Sequence, residues 1–502
     1  MSNIDLISKF FSTKENCCGC TACYSVCPNN AISMEIDNEG FLYPRIDIAK
    51  CVQCMKCINT CGFKNKKEYN DFNTNFPQVF ALKHKNYNIR INSRSGGAFT
   101  TLSDEILKNG GIVYGCIMEN NYEAVHIRTE TCEERDKMRG SKYIQSNLGD
   151  TFSMVKSDLL AGRKVLFTGT PCQIDGLKKF LYTDYDNLLC VDIVCYGVPS
   201  TIVWKSYLKW LENKHNAKCI PENISFRNKK KYGWGSHIET IKMINPDGKN
   251  IEINSEIFKE LFLGRYILRP GCYQCPYTSL QRPGDITIAD FWGINNFLPE
   301  LNDNKGISMV FINNIKGEKF FNKCKESTIY YKVKLENDFQ RALCEPAKKP
   351  ENRMQFWNDF FENGFSYIVE NYVSNKNECI EPNKYEQYYY LLNKWIELKQ
   401  KNINIAQYFK EKNYRDIAIY GMGKIGVHLL EELKGADINV KYIIDQKNNP
   451  LNLVINKSIN KKIEADVVII TPIFAYDSIK NQFENYCSCP IVSIEEVIFG
   501  FN

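Results

Sequence analysis

The chain has 502 residues, which is enough for two or three domains with separate hydrophobic cores. Hydrophobic residues make up 44% of it and charged residues 24%, as in ordinary globular proteins, and the small net charge of +6 argues against nucleic-acid binding. No apolar stretch approaches the roughly 18 residues of a membrane helix, and no secretion signal opens the chain, so we expect the 22 cysteines to stay reduced in the cytoplasm of an anaerobe.

Eight cysteines near the start of the chain form two runs with the same C-x2-C-x2-C-x3-C spacing. The first run is Cys17, Cys20, Cys23 and Cys27, and the second is Cys51, Cys54, Cys57 and Cys61. This spacing is typical of two 4Fe–4S clusters, with the fourth cysteine of each run binding the other cluster. A zinc site would need two separated pairs of ligands, and a disulfide scaffold is typical of short secreted chains, so the clusters are the favoured interpretation.

Two details depart from the bacterial form of this motif. Gly62 follows the last cysteine of the second run, where that pattern has proline. Cys18 is an additional thiol inside the first run, and we predict that it is not a ligand. Residues 10–65 are predicted to form the cluster domain, and the polar stretch 64–75 is predicted to be a linker.

From Pro77 on, strands and helices alternate, which is typical of an α/β core whose sheet is partly parallel. The predicted strands are Val79–Lys83, Ile112–Cys116, Lys164–Thr168, Leu188–Val194 and Ile286–Ala289, and the predicted helices are Ala98–Lys108, Met154–Leu160 and Gln173–Phe180. We expect one large domain over residues 76–345. A helical connector over 346–412 follows, with helices at Asn352–Val373, Tyr385–Lys401 and Ile403–Lys412.

Four cysteines of the large domain are candidates for a third cluster. Cys172 and Cys195 each follow a predicted strand, and the carboxyl ends of parallel strands meet at one edge of a sheet. Cys272 and Cys275 lie in a Pro/Gly-rich loop that could reach the same edge. From spacing alone, a third 4Fe–4S cluster and a set of unrelated buried thiols remain equally open.

Two polar loops of the same domain suit a phosphate-bearing ligand. Ser93–Gly97 precedes a predicted helix, whose free N–H groups attract phosphate, and its two glycines allow close approach. The loop Arg139–Ser146 adds two cationic side chains and several hydroxyls. An ordinary helix start and a polar turn are the simpler interpretations of these two loops.

The last segment, 413–502, begins with a strand that leads into the glycine-rich sequence Gly421–Gly426. Its G-x-G-x-x-G pattern is followed by a helix, Val427–Leu433, and by a strand, Val440–Ile444, that ends on Asp445. This is the context of a dinucleotide-binding fingerprint, in which Gly421, Gly423 and Gly426 approach the pyrophosphate and the aspartate binds a ribose hydroxyl. The segment is shorter than a full Rossmann domain, so a Rossmann-like docking module is equally open.

Several ordered motifs resemble the beta-subunit family of coenzyme F420 hydrogenases and dehydrogenases, which includes plant 7-hydroxymethyl chlorophyll a reductase. The motifs are Ser93–Phe99, Arg139–Ser146, Thr168–Gln173, Asp192–Pro199, Ile224–Arg227 with Gly233-Trp234, and Leu268–Trp292. The resemblance covers roughly residues 10–345. It implies FAD in the large domain, beside a 4Fe–4S cluster held by Cys172, Cys195, Cys272 and Cys275. It also implies a flavin site lined by Ser95, Gly96, Gly97, Arg139, Ser141, Lys142, Tyr143, Gln145 and Ser146.

We therefore expect an α+β ferredoxin-like cluster domain, a large α/β flavin domain and a small C-terminal Rossmann-like α/β domain. The expected cofactors are three 4Fe–4S clusters, FAD and, in the last domain, NAD or a nucleotide-sugar. FAD would join one-electron clusters to a two-electron substrate, either coenzyme F420 or an intermediate of a sugar or polysaccharide pathway. Ferredoxin or another electron-transfer protein is the expected partner, with no nucleic acid and no membrane.

The alternatives are a non-catalytic electron-transfer subunit of a larger complex and a protein whose clusters are only structural. The C-terminal module departs from hydrogenase subunits and is similar to units found in proteins of polysaccharide and nucleotide-sugar pathways. Since a simple electron relay has no need of a nucleotide-type domain, this module favours an enzyme. The sequence identifies no catalytic residue.

Overall fold

A computed structural model of the chain describes residues 12–65, 77–334, 340–445 and 463–501. These residues divide into two compact units: one contains the residues up to His84 and Ile89–Glu381, and the other contains Lys85–Asn88 and the residues from Pro382 on. The division falls inside the segment expected to be a helical connector, and most of the expected linker at 64–75 lies outside the described residues. Both units combine helices with sheets, which confirms a mixed α/β architecture.

The cysteine-rich module of the first unit consists of two short helices and a two-stranded antiparallel sheet. Its elements are α1 (Ala22–Ser25), β1 (Ile32–Ile36), β2 (Leu42–Ile46) and α2 (Lys56–Asn59). Thr21 and Met55, which precede the two helices, have the same left-handed backbone conformation, with φ of 62° and 60°. The two cysteine runs therefore make the same turn at equivalent positions.

A mixed sheet of nine strands forms the centre of the first unit. After the cluster module, the chain forms, in order, β3 (Gln78–His84), α3 (Tyr87–Asn92), α4 (Ala98–Lys108), β4 (Ile112–Met118), β5 (Ala124–Thr129), α5 (Cys132–Asp136), β6 (Ser146–Asn147), α6 (Thr151–Leu160), β7 (Val165–Gly169), α7 (Pro171–Leu181), β8 (Leu188–Ile193) and α8 (Thr201–His215). It continues through β9 (Lys218–Ser225), α9 (Lys229–Tyr232), β10 (Glu239–Ile244), β11 (Asn250–Ser255), α10 (Ile257–Leu263), β12 (Ile286–Asp290), β13 (Ser308–Ile312), α11 (Ile315–Cys324), β14 (Thr328–Val333) and α12 (Arg353–Tyr372).

The order of strands in the large sheet is β14-β3-β13-β12-β8-β7-β4-β5-β6. The central strands β12, β8, β7 and β4 run parallel. On one side of them β13 pairs antiparallel to β12, and on the other side β5 pairs antiparallel to β4. The carboxyl ends of the four parallel strands therefore lie at one edge, as expected for Cys172 and Cys195. The predicted strands of this domain are all present, whereas β5, β6, β13, β14 and the separate sheet β11-β10-β9 were not predicted.

Alternate residues of the central strands face two different helical layers. Tyr114 and Phe167 are buried against α6 and α7, while Val113 and Leu166 are buried against α4 and α11. This alternation follows from the two-residue repeat of a strand, and it explains why these strands are apolar throughout. A third core, around Trp204, packs α8, α10 and α12 against the small sheet.

The second unit contains a four-stranded parallel sheet. Its elements are α13 (Lys384–Gln400), α14 (Ala406–Glu411), β15 (Asp416–Tyr420), α15 (Lys424–Leu433), β16 (Asn439–Ile444), β17 (Val467–Ile470), α16 (Tyr476–Phe483), β18 (Ile491–Ser493) and α17 (Ile494–Phe499). The strand order is β16-β15-β17-β18, and the glycine-rich sequence lies between β15 and α15, as predicted. Among the described residues of both units, no helix has the length and apolar character required to cross a membrane.

Candidate functional site

The eight cysteines of the cluster module are grouped across the two runs. One small cavity is lined by Cys17, Cys20, Cys23 and Cys61, and another is lined by Cys27, Cys51, Cys54 and Cys57. Each group therefore takes three cysteines from one run and the fourth from the other. A single zinc ion would draw its thiolates to about 2.3 Å, and within the described ranges no three His, Cys, Asp or Glu side chains are close enough to hold one ion. The wider grouping fits a 4Fe–4S cluster.

Most thiols of these groups are at least partly buried and lie next to one another, although Cys54 is exposed. Burial and, to a smaller extent, the neighbouring Cys20 and Cys17 thiols together raise the pKa of Cys61 to about 12. Burial likewise raises the pKa of Cys57 to about 11, with Cys54 as a contributing neighbour. Thiolates packed this closely repel one another unless a cation neutralises them, which is what cluster iron does when it displaces their protons.

The four candidate cysteines of the large domain converge at the carboxyl edge of the parallel strands. Cys172 is the second residue of α7, directly after β7, and Cys195 follows β8. Cys272 and Cys275 come from the loop between α10 and β12. Burial, together with the nearby Cys172 and Cys275 thiols, raises the pKa of Cys195 to about 12. The Cys272 thiol is close to all three of the others, so the structure brings the complete set together.

Two buried arginines fix the loop that carries Cys272 and Cys275. At its start, the fully buried Arg269 donates to the carbonyl oxygens of Cys17 (2.8 Å) and Leu42 (3.0 Å) in the cluster module. At its end, Arg282 donates to Asp192 at the end of β8, with Nη2–Oδ1 of 2.7 Å, and neither side chain is exposed by more than 1%. The loop is therefore held between the cluster module and the sheet edge.

Helix α7 connects the cluster module to this second set of cysteines. The Cys18 thiol hydrogen-bonds to Cys172, which lowers the pKa of Cys172 to about 7. One turn further on, a Cβ at Gly176 would lie 2.8 Å from the Cys20 sulfur. A Cβ at Gly62 would lie 1.8 Å from Asp175 Oδ2 of the same helix. Both departures from the bacterial motif thus lie at this contact: Cys18 reaches Cys172, and Gly62 leaves room for Asp175.

A cavity of about 700 Å³ opens beside Cys172 and Cys195. This volume is within the range of about 300–1,000 Å³ that is usual for ligand sites. Its wall includes the start of α4 and the loop 139–146, and therefore most of the residues expected at a flavin site: Ser95, Gly97, Arg139, Ser141, Lys142, Tyr143, Gln145 and Ser146. The structure thus places the two polar loops and the cysteines around one space.

Gly96 does not line this cavity. Its N–H donates to Ser308 Oγ (3.0 Å), and a Cβ there would lie 2.1 Å from the Leu82 carbonyl oxygen. Two predicted residues that do line the cavity have their polar groups engaged elsewhere, because Ser95 Oγ donates to the Ile307 carbonyl (2.6 Å) and Gln145 Oε1 accepts from Leu42 N (2.9 Å). These three residues therefore fix the loops, whereas Gly97 begins α4 without a side-chain cap and faces the cavity.

Cationic side chains lie along one side of the cavity. Arg94 donates to the Trp234 carbonyl (3.2 Å) and lies 3.4 Å from Asp290, but its buried Nη1 has no hydrogen-bond partner among the described residues. Burial lowers the pKa of Lys142 to about 8. Arg94, Arg139 and Lys142 also line an adjoining cavity of about 420 Å³. The arrangement suits an anionic ligand, such as a phosphate ester.

Two histidines that the sequence did not single out also line the large cavity. His126 on β5 is hydrogen-bonded through Nε2 to the Thr168 carbonyl (3.0 Å), and burial lowers its pKa to about 4. Burial lowers the pKa of His237 to about 2, with the nearby Arg227 and Arg94 adding to the effect. Both are therefore neutral at physiological pH. The only sequence signal for His126 is its polarity between the apolar Val125 and Ile127.

In the second unit, the predicted nucleotide-binding residues lie together. Asp445 Oδ2 accepts a hydrogen bond from Met422 N (2.5 Å) in the glycine-rich turn. A Cβ at Gly426 would lie 2.0 Å from the Gly421 carbonyl oxygen, so this glycine allows α15 to approach the turn. Gly423 has no atom within 4 Å of the position where a Cβ would stand, so its outer side is open.

Comparisons with known proteins identify two regions of the chain. Residues 162–338 match the model for the C terminus of the beta subunit of coenzyme F420 hydrogenase/dehydrogenase, and residues 16–65 match the 4Fe-4S dicluster domain. The coenzyme F420-dependent sulfite reductase of Methanocaldococcus jannaschii is 24% identical over 313 residues. That alignment covers 61% of this chain and 45% of the relative, so the chain spans less than half of that protein.

A solved structure of the F420-reducing [NiFe] hydrogenase complex from Methanosarcina barkeri aligns with a TM-score of 0.35 and 17% identity, covering 50% of this chain and 81% of that chain. The two family matches coincide with the two parts of the first unit that hold the cysteine groups. The chain is thus an iron–sulfur redox protein that carries a 4Fe-4S dicluster domain and is related, over residues 162–338, to the beta subunits of coenzyme F420 hydrogenases and dehydrogenases.

Proposed function

We propose that this protein is an oxidoreductase that passes electrons between 4Fe–4S clusters and a two-electron substrate at FAD. The observation that carries the proposal is the cavity of about 700 Å³, because it has cluster-type cysteines at one end and a phosphate-type helix start on its wall. When bound, the clusters transfer single electrons and FAD joins them to two-electron chemistry. A simple electron-transfer subunit would not need a cavity of this size beside its cysteines.

Three sets of cysteines would hold three clusters, and their burial suggests an order. The set with Cys51 and Cys54 is nearest to solvent, since Cys54 is exposed and Val52 beside it is 58% exposed. The set with Cys17 and Cys20 contacts α7, and the set with Cys172 lines the large cavity. We therefore place the docking site of ferredoxin, or of another electron-transfer protein, at the Val52 end.

The residues available to hold FAD are those that face the cavity without a competing partner. The uncapped start of α4 at Gly97 presents backbone N–H groups suited to a pyrophosphate. The Nη1 of Arg94, which has no hydrogen-bond partner among the described residues, would donate to that group. Lys142, whose ammonium donates to the Lys137 and Arg139 carbonyl oxygens, would add positive charge to the cavity wall without a direct contact. Ser95 and Gly96 would contribute by fixing the loop in which Gly97 lies.

The substrate would enter through the adjoining cavity of about 420 Å³. Its wall carries Lys142, Lys230 and Lys242 and the carboxylate of Glu222, together with Arg94, Arg227 and Arg139, which are paired with Asp290 or Asp136. Lys229 also lies on this wall, but it is buried and donates to three backbone carbonyl oxygens. This surplus of positive charge favours an anionic substrate. Coenzyme F420, which appears in the names of the similar proteins, is one candidate, and a charged sugar intermediate is another.

Anaerobic purification followed by iron, sulfide and flavin analysis tests the proposal. We expect about twelve irons and one FAD per chain. About eight irons would remove the third cluster, and the absence of flavin in protein refolded or reconstituted with FAD and FMN would refute the flavoenzyme. Flavin retained without substrate turnover, but with fast electron exchange to a partner protein, would favour the electron-transfer subunit.

We also propose that the second unit binds NAD or the nucleotide part of an activated sugar. The open side of Gly423 at the start of α15 and the carboxylate of Asp445 beside the turn support this proposal. Calorimetric titration of the full chain with NADH and with nucleotide-sugars tests this proposal. The Gly423→Val variant is titrated in the same way, because the valine side chain would fill the open space beside residue 423. Absence of binding at millimolar concentration would favour a docking module instead.

A further inference from the structure

His126 lines the large cavity, and one of its two ring nitrogens has no hydrogen-bond partner among the described residues. The ring stacks on Phe167, with centroids 5.6 Å apart and planes at 16°. Its Nε2 lies 3.0 Å from the Thr168 carbonyl oxygen, which can only accept a hydrogen bond, so Nε2 carries the proton. The other nitrogen, Nδ1, therefore has a lone pair. It is buried and has no hydrogen-bond partner among the described residues.

The protein supplies no donor for this nitrogen. The neighbouring Lys142 directs its ammonium group to the carbonyl oxygens of Lys137 (2.9 Å) and Arg139 (3.0 Å). A buried acceptor without a donor is unfavourable, so the donor is expected to belong to the molecule that fills the cavity. The low pKa of His126 agrees with this role, because burial and the charge of Lys142 keep the ring neutral and its lone pair available.

An acceptor with a cation beside it matches the imide edge of a flavin ring. That edge carries an N–H between two carbonyl groups, and negative charge accumulates there when the ring is reduced. A ribityl hydroxyl or an adenine amino group could also donate, but neither gains charge on reduction, whereas the imide edge does, and Lys142 lines the same cavity as His126.

We propose that His126 Nδ1 accepts a hydrogen bond from the imide N3–H of the flavin and so positions the ring in the cavity. This inference rests on the proposed function, since it assumes that FAD occupies this space. His126 is a positioning residue for the cofactor, and Lys142 supplies the adjacent positive charge.

The test compares FAD with N3-methyl-FAD, in which the imide N–H is replaced by N–CH3. Flavin-free, full-length protein is titrated anaerobically with each flavin, and binding is followed by the change in flavin fluorescence. We expect the unmodified protein to prefer FAD by about tenfold, which corresponds to about 1.4 kcal/mol. Binding of both flavins within twofold of each other would overturn the inference while leaving FAD binding intact.

Two variants separate the lone pair from the bulk of the side chain. His126→Gln keeps a donor near the Thr168 carbonyl but has no acceptor at the Nδ1 position, so it should bind FAD about tenfold more weakly and lose the preference. His126→Asn places its carbonyl oxygen where Nδ1 stands and should keep most of the preference. A full preference in His126→Gln would show that the methyl group is excluded by shape alone, and failure of the unmodified protein to bind either flavin would refute the proposed function as well.

Discussion

Replacement of Gly62 by alanine should separate the cluster module from helix α7. The added Cβ would lie 1.8 Å from Asp175 Oδ2 and 3.1 Å from the hydroxyl of Tyr277. Asp175 cannot move aside freely, because it is only 1% exposed and accepts a hydrogen bond of 2.6 Å from that hydroxyl. The alanine therefore forces either the carboxylate or the Cys61–Gly62 backbone to shift.

The cost follows from two effects. Overpacking of a buried site costs about 1–3 kcal/mol. If the Asp175 carboxylate moves, the buried hydroxyl of Tyr277 loses its partner, which costs about 1–3 kcal/mol more. The sum is about 2–6 kcal/mol. The first unit is much larger than 250 residues, and an unfolding entropy of about 2.1 cal/mol/K per residue makes each kcal/mol lower its midpoint by about 1.3 °C. We therefore expect the midpoint of thermal unfolding to fall by at least about 2.5 °C.

Thermal unfolding is measured anaerobically by circular dichroism, together with iron content and the rate of flavin reduction by ferredoxin. Gly235→Ala is the matched control for thermal unfolding and iron content, because no atom lies within 4 Å of its Cβ position and its φ is not in the left-handed region. Gly235 lines the large cavity, so the flavin-reduction rate is compared with the unmodified protein only. In the double variant Gly62→Ala/Asp175→Ala the clash is absent, so its loss should be smaller than the sum of the single losses by at least about 1 kcal/mol. A Gly62→Ala protein that melts within 1 °C of the original would refute the reasoning.

Three further substitutions test the cysteine sets. Cys54→Ala should remove about four irons and leave the flavin content unchanged, as measured by iron assay and chromatography of the released flavin; loss of flavin would contradict the separation of the two sites. Cys18→Ala should keep all of the iron, since the Cys18 thiol hydrogen-bonds to Cys172 instead of serving as a ligand. A loss of about four irons would show that Cys18 is a cluster ligand. Arg282→Met leaves the buried Asp192 without its ion-pair partner, at a cost of about 3–5 kcal/mol. The cysteine set that contains Cys172 should therefore lose its iron, while the dicluster signals remain in electron paramagnetic resonance spectra. Full iron content would contradict the role of this arginine.

Features that depend on local sequence could be predicted. The spacing of the two cysteine runs reflects a short turn that recurs at Thr21 and Met55, and such turns are determined within a few residues. The positions of Cys172 and Cys195 followed from the rule that parallel strands end at one edge, and β7 and β8 are buried enough to be recognised as strands. The alternation of helices and strands around them was predicted for the same reason.

Features that depend on distant partners could not be predicted. Gly96 looked like a phosphate contact, but its N–H is bound by Ser308, which lies 212 residues further along the chain. Strand β9 contains Pro221 and has no regular alternation, whereas β10 and β11 alternate only over a few residues that also carry charges. The sheet that these three strands form was therefore not predicted. His126 became a candidate only when the Thr168 carbonyl was seen to fix its ring.

The contacts of the cluster module with the large domain indicate a fixed relay, in contrast to a mobile electron carrier. Arg269 is completely buried and binds two carbonyl oxygens of the module, and Arg353 of α12 pairs with Glu39 in the β1–β2 turn (Nη1–Oε1 3.0 Å). Release of the module would break all of these charge-assisted hydrogen bonds at once. A carrier that swings between partners has no use for such contacts. Because the same loop that begins with Arg269 also carries Cys272 and Cys275, the contact that holds the module also positions the cysteines beside the cavity, and electron transfer between the two sets needs no domain motion.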